Sequence, residues 1–277
     1  MWKSYHEFPL APENFMLLNQ TKNHAYFKEE KLGKIVAFKG TKGGVGTTTL
    51  AVEFCALAVS LGYKTAAIDL DYICGDLPVR LNIEPAKMIF NLADLADLED
   101  ELDPRIFYKT AAINSEGIMV FGLHDGQVPI SRLSQHKAAR VFESAIKAFD
   151  YTVVDLPPTA DDFPSSLANL SGCTILITTP EVSSILRARQ FLEAQSAKGM
   201  RNTLILINRS LRKRDSITTS EIERYIGLSP IGVISEKTFH FRLAANTGEY
   251  LINDTGKISR EIRGALGKIF QFFLSAR

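Results

Sequence analysis

Seven short β-branched runs punctuate this chain, and several of them are continuously apolar rather than apolar at alternate positions. They are KIVAFK (34 to 39), KTAAIDL (64 to 70), GIMVFGL (117 to 123), YTVVDL (151 to 156), CTILITT (173 to 179), TLILIN (203 to 208) and IGVI (231 to 234). A strand reads this way when both faces of its sheet are covered. Segments of helical spacing lie between them. In SSILRARQFLEAQSAKG, for example, Ile185, Leu186, Phe191, Leu192 and Gln195 keep that spacing and Gly199 supplies a stop. The alternation predicts an α/β fold, a doubly wound, mostly parallel sheet with helices on both faces and a ligand at the carboxyl ends of its strands. At 277 residues and 45% hydrophobic, the chain can bury a large core. Residues 33–277 are expected to form one domain, preceded by an extension, residues 1–32, to which no fold is assigned.

The first apolar run leads directly into GTKGGVGTTT and then into TTLAVEFCALAVSL, whose Leu50, Phe54, Leu57, Ala58 and Leu61 share a helical face. Strand, glycine-rich turn and helix in that order make the setting of a phosphate-binding P-loop. Gly43, Gly44 and Gly46 allow close backbone approach. The successive N–H groups from Lys42 to Thr49, those of Val45 and Thr47 among them, form an anion nest at a helix N-terminus. Thr48 is placed to ligate Mg²⁺ through its hydroxyl. One position breaks the usual pattern: the lysine expected directly before that hydroxyl is Thr47.

Three carboxylates support the nucleotide reading. Asp69 and Asp71 end the second run, and Asp155 stands at the end of YTVVDLPP in the arrangement of a Walker B acid that holds Mg²⁺ through water. Any one strand-end aspartate is as easily a helix cap or a turn residue. Three of them beside a P-loop point to a bound nucleoside triphosphate and its metal.

At these residues the chain resembles the deviant Walker A P-loop ATPases of the ParA/MinD superfamily. Their signature lysine, early in KGGxGK[ST], matches Lys42 in KGGVGTTT. The similarity runs over roughly residues 33 to 275 and takes in DLD at 69 to 71, VVDLPP, the NR at 208 to 209 and GVISEKTFHFRLAANTGEYLI. It implies ATP and Mg²⁺ as cofactors and a homodimer that sandwiches ATP, with Lys42 reaching the partner's phosphates. It also implies that Asp71 orients the attacking water, Asp69 supports the metal shell and Asn208 reads the adenine edge through its amide. Arg209 then packs by the base or the dimer seam, or stands as a solvated surface arginine. Thr41 replaces the first glycine of the loop, and Thr47 replaces the catalytic-position lysine. The second loss is similar to the CpaE/TadZ branch, which positions Flp (Tad) pilus and secretion machinery at a cell pole. A lysine about 4 Å from a phosphate contributes about 4 kcal/mol of gross Coulomb energy at an effective dielectric of about 20. Its absence should slow hydrolysis more than binding, because phosphoryl transfer depends on charge stabilisation as the γ-phosphate leaves. The expected activity is weak ATP hydrolysis at most, in a protein whose ATP occupancy is coupled to dimerisation.

Charge and composition narrow the partners. Lys plus Arg number 32 against 31 Asp plus Glu, so no global charge draws the chain to nucleic acid or an anionic membrane. DNA binding of the ParA type would have to be local, on Arg209, Arg212, Lys213 and Arg214, where a solvated loop or partner face is the better reading. The C-terminal KISREIRGALGKIFQFFLSAR is amphipathic, suited to a membrane surface but more commonly packed on its own sheet. Phe163, after the Walker B run, sits where a nucleotide-responsive switch would be. Cys55, Cys74 and Cys173 lack metal-ligand spacing, as do the histidines, and no signal-peptide pattern begins the chain. A cytoplasmic protein is expected, recruited to a pole or the inner membrane surface through its partners.

Overall fold

The computed structural model describes residues 32–275, apart from 72–74, 85–86, 88–94, 96–102, 123–134, 160–169, 171, 201 and 212–216. The extension 1–31, Cys74, His124, Phe163 and the basic residues 212–214 therefore lie outside the described residues. Each of the seven apolar runs contains a strand: β1 (Lys34–Gly40), β2 (Thr65–Asp69), β4 (Met119–Phe121), β5 (Tyr151–Leu156), β6 (Gly172–Thr178), β7 (Thr203–Ser210) and β8 (Pro230–Ser235). An eighth, β3 (Ala112–Ile113), has only two residues and pairs antiparallel with β4, at the sheet edge. The order is β3-β4-β2-β5-β1-β6-β7-β8, and every other pairing is parallel. The chain winds from β1 toward β2 on one side and later returns to place β6 on the other, so β1 stands at the switch of direction where a ligand crevice opens.

Side-chain alternation along β1 divides the core in two. Val36 and Phe38 enter one layer with α1 (Thr47–Ser60) and the C-terminal helix, while Ile35 and Ala37 enter the other with Phe142 and Ile146 of a helix over Gln135–Ala148. On the far half of the sheet, Leu176, Ile205 and Ile207 pack against α5 (Val182–Ala197) and α6 (Thr219–Ile226). Between α1 and α5 come α2 (Leu77–Arg80), α3 (Ile106–Thr110) and α4, the Gln135–Ala148 helix. After β8 follow α7 (Thr238–Thr247) and α8 (Lys257–Ser275). Helix α6 begins with a full capping box between Thr218 and Glu221 and stops at Gly227, whose φ of 79° an L side chain would resist.

Helix α1 is buried almost all round, from Leu50 to Ala58, because it lies between the sheet and α8. That burial includes a carboxylate. Glu53 accepts the N–H groups of Leu251 (2.8 Å) and Ile252 (2.9 Å), clamping the turn that precedes α8. Desolvation outweighs those hydrogen bonds and pushes its pKa up to about 7.

The apolar stripe of α8 is occupied. Ile258, Ile262, Ala265, Leu266, Ile269, Phe270 and Phe273 are all buried. Phe270 stacks on Phe54 at 4.9 Å between ring centres and meets Tyr151 edge-on at 5.1 Å. A membrane could not use the same face without unpacking the core. Phe270→Ala is expected to cost about 3–5 kcal/mol, as aromatic truncations in a closed core do, read as a lowered denaturation midpoint. An unchanged midpoint would mean that α8 is not part of this core.

Candidate nucleotide site

The site is built around the end of β1. Strand register sets its acids: Phe38 is level with Asp155 on β5, and Asp155 is level with Asp69 on β2. Neighbouring strands lie about 4.8 Å apart, so two carboxylates stand abreast at the mouth of the loop. Asp69 is capped by the N–H of Asp71 (2.9 Å) and of Leu77 (3.1 Å). Gly75 is required beside it, since a Cβ there would come within 2.5 Å of Asp69 Oδ2. Burial first, then the neighbouring acids against those hydrogen bonds, pushes Asp69 up to about 7. Asp155 is raised in the same direction by desolvation, opposed by its hydrogen bond with the Thr48 hydroxyl and aided by repulsion from Asp69, Asp76 and Asp71.

The loop itself, residues 40–48, is held from below. Val45 is 1% exposed and anchors the turn in the core. Gly44 (φ 77°) and Gly46 (φ 99°) take the left-handed conformations that favour glycine, just before the start of α1. Gly40 has no room for a Cβ, which would fall 2.5 Å from Thr47 Oγ1. Thr47, where a lysine is usual, therefore lays its side chain against the root of the loop instead of extending a cation over it.

Asn208 ends the apolar run 203–208, and both it and Arg209 lie inside β7, at an irregularity where the register with β8 slips. Arg209 has φ 55°, and its guanidinium lies 4.0 Å from Glu236. The amide of Asn208 is partly committed. Its Nδ2 donates one hydrogen to Val45 O (2.7 Å), so it braces the loop, and leaves Oδ1 and a second N–H for other partners. That oxygen is buried with no hydrogen-bond partner. It stands beside a cavity of about 250 Å³ lined by Gly46, Thr49, Arg80, Arg209 and Phe241. An orphaned acceptor at a cavity next to a phosphate loop fits the exocyclic amine of adenine.

Two residues had no signal in the motif. Glu181, at the N-terminus of α5, forms an ion pair with Lys42 of the same chain, and Lys42 holds its carboxyl below the usual range. Ser184, one turn on, is a buried hub: its hydroxyl lies 2.5 Å from Thr41 Oγ1 and 3.0 Å from Thr178 Oγ1, and it accepts Thr179 N at 3.1 Å. Thr41, in place of a glycine, ties the loop to α5. A strand-end TTPEVSS could have suggested such hydroxyl contacts, but not their target.

Residues 31–211 match the ParA family model, described as an NUBPL iron-transfer P-loop NTPase. The chain belongs to this family. It is 24% identical over 249 residues to the septum site-determining protein MinD of Thermotoga maritima, covering 86% of this chain and 88% of that one. Among solved structures, the ParA family ATPase of Chlorobium tepidum superposes with a TM-score of 0.73 at 22% identity, covering 84% and 96% of the two chains. MinD of Pyrococcus horikoshii, solved with Mg-ADP, gives 0.70 at 20% identity over 87% and 96%. The fold is that of the ParA/MinD P-loop NTPases, and nucleotide with Mg²⁺ is the ligand class the family implies.

Among the described residues no group of three or more His, Cys, Asp and Glu could hold a metal alone. Thr48, Asp155 and Asp69 suit a Mg²⁺ that also takes phosphate oxygens and water. Such a cation would offset the burial, and the lesser mutual repulsion, that raise both acids, and would displace their protons. Affinity for Mg-nucleotide should therefore rise as pH increases through about 7, by up to about tenfold per pH unit for the proton that Asp69 gives up. Calorimetry between about pH 6 and about pH 8 checks this. An affinity independent of pH would contradict the assignment of these acids to the metal.

Proposed function

We propose that this chain is an ATP-binding, ATP-dependent dimerising positioning protein, a deviant Walker A member of its superfamily that localises Flp/Tad pilus or secretion machinery. The observation that carries this reading is the state of two positions. The loop, Thr48 and the acids are all in place, yet neutral Thr47 stands where the usual pattern has a lysine, and Lys42 is tied back to Glu181. Exposed ion pairs contribute about 0–1 kcal/mol, and Lys42 and Glu181 are 27% and 56% exposed. A triphosphate brought by a second copy can outcompete one carboxylate, so Lys42 is available to act in trans. Binding then outlasts hydrolysis, a property suited to holding a position rather than turning over quickly.

The family description also names iron transfer. Cys55 and Cys173 are buried, and desolvation pushes both thiols far up, which makes them poor metal ligands. These features favour the nucleotide switch over a metal cargo. Septum-site determination, printed for the Thermotoga relative, is a positioning task of the same kind. The choice of pilus machinery as cargo rests on the resemblance carried by Thr47.

Two substitutions test the account of charge. Thr47→Lys should tighten Mg-ATP binding and raise turnover, measured by calorimetry and phosphate release. No gain in either would count against a site weakened at this position, and no binding by either form would leave a nucleotide-free scaffold. Glu181→Gln releases Lys42 and should lower the ATP concentration for half-maximal dimerisation by up to about fivefold, the equivalent of about 1 kcal/mol.

A further inference from the structure

Among the described residues, three buried side-chain polar atoms have no hydrogen-bond partner: Arg80 Nε, Thr152 Oγ1 and Asn208 Oδ1. Folded interiors leave few such groups unmet, because each one costs its full desolvation. Two of the three belong to residues that line one cavity, the space of about 250 Å³ beside the phosphate loop. They are of opposite kinds. Asn208 presents an acceptor, and Arg80 a donor. The cavity is smaller than the about 300–1,000 Å³ common for whole small-molecule ligands, and it suits a base, with ribose and phosphates outside it. Phe241 and Ala245, one turn apart on α7, supply an apolar side. Two further arginines line it, Arg209 and Arg242, but both are exposed, so water can meet their donors.

Arg80 is held in place from both ends of α2. Leu77, the first residue of that helix, donates its N–H to Asp69 Oδ2 (3.1 Å). Asn82, two residues beyond Arg80, donates its amide to Gly248 O (2.9 Å), at the end of α7. The charge of the guanidinium has acidic neighbours: Nη1 lies 3.8 Å from Asp76 Oδ2, and the positive charge partly opposes the burial that raises Glu53. Neither acid takes a hydrogen bond from Nε. A planar, permanently protonated group on a fixed turn of helix, with one buried donor to spare, is suited to an acceptor in a flat ring.

We infer that Arg80 is a base-reading residue of the nucleotide site, its Nε–H donating to a ring nitrogen of adenine while the Asn208 amide takes the exocyclic amine. Adenine carries a donor amine beside ring nitrogens that accept, so one acceptor and one donor on the protein complement it. The inference rests on the nucleotide reading proposed above, and it adds a determinant of base choice that stands apart from the loop and its acids.

A competition measurement tests it. The whole chain with Mg²⁺ is loaded with an ATP that carries a fluorophore on its ribose, which leaves the base free. The label is then displaced by ATP or by its 1-deaza, 3-deaza and 7-deaza analogues, each lacking one ring nitrogen. The wild type should bind one analogue about tenfold more weakly than ATP, the weight of one charge-assisted hydrogen bond. Arg80→Lys keeps the charge near Asp76 and Glu53 but has no donor at the Nε position. In that variant ATP should weaken by the same factor, and the sensitive analogue should bind no worse than ATP. Arg80→Met should repeat the result without the charge. Three analogues that bind the wild type as ATP does would overturn the inference. So would an analogue that stays equally weak relative to ATP in both variants, since another group then takes that nitrogen. A uniform loss for ATP and every analogue, the mark of a structural role, would overturn it too. A wild type that binds no Mg-ATP would remove the nucleotide reading and this inference together, whereas Mg-ATP binding without coupling to Arg80 removes this inference alone.

Discussion

The parallel hydrogen-bond ladder that holds β1 between β5 and β6 is the constraint on which the site depends. It buries both faces of β1 and ends it at the same level as Asp155. The bond from Thr41 N to Ile177 O (3.0 Å) carries the β6 side of the ladder one residue beyond the strand. The chain must then turn at once, and only a glycine-rich turn can do so with Val45 driven into the core and Gly46 set against Asn208. Slippage of one residue in β5 would send Asp155 to the other face and remove it from Thr48.

Charge is arranged around that turn in an unbalanced way. Asp69 and Asp155 are buried together, and desolvation first, then mutual repulsion, makes both hold their protons more tightly than ordinary carboxylates. The loop's own cation, Lys42, is held by Glu181. The protein alone is thus short of positive charge where a triphosphate would add more negative charge. In the function proposed above, Mg²⁺ would answer part of that need and a lysine from a second copy the rest, so that dimerisation would be coupled to nucleotide through electrostatics.

Much of this was legible from residues. Short apolar runs marked every parallel strand, several of them continuously apolar because both of their faces are buried. Antiparallel β3 escaped because two residues carry no periodicity. GIMVFGL read longer than its three-residue strand, since Gly117 at φ 87° turns the chain before β4 begins. The loop and its acids were visible as motif. Their bracing was not: the partners of Asn208, Lys42 and Thr41 lie 163, 139 and 143 positions away. A side-chain contact over such a separation depends on which strands are neighbours, and no local pattern encodes it. The bracing of the loop by the Asn208 amide is a contact of this kind, beside the base contact that the resemblance implies.

Sedimentation velocity of the whole chain, with and without Mg-ATP, tests most directly the claim that a second copy completes the site. The account predicts a monomer without nucleotide, a dimer with Mg-ATP, and a Lys42→Ala variant that stays monomeric in both while still binding nucleotide. An unchanged sedimentation coefficient for the wild type saturated with Mg-ATP, or a Lys42→Ala variant that dimerises equally well, would contradict it.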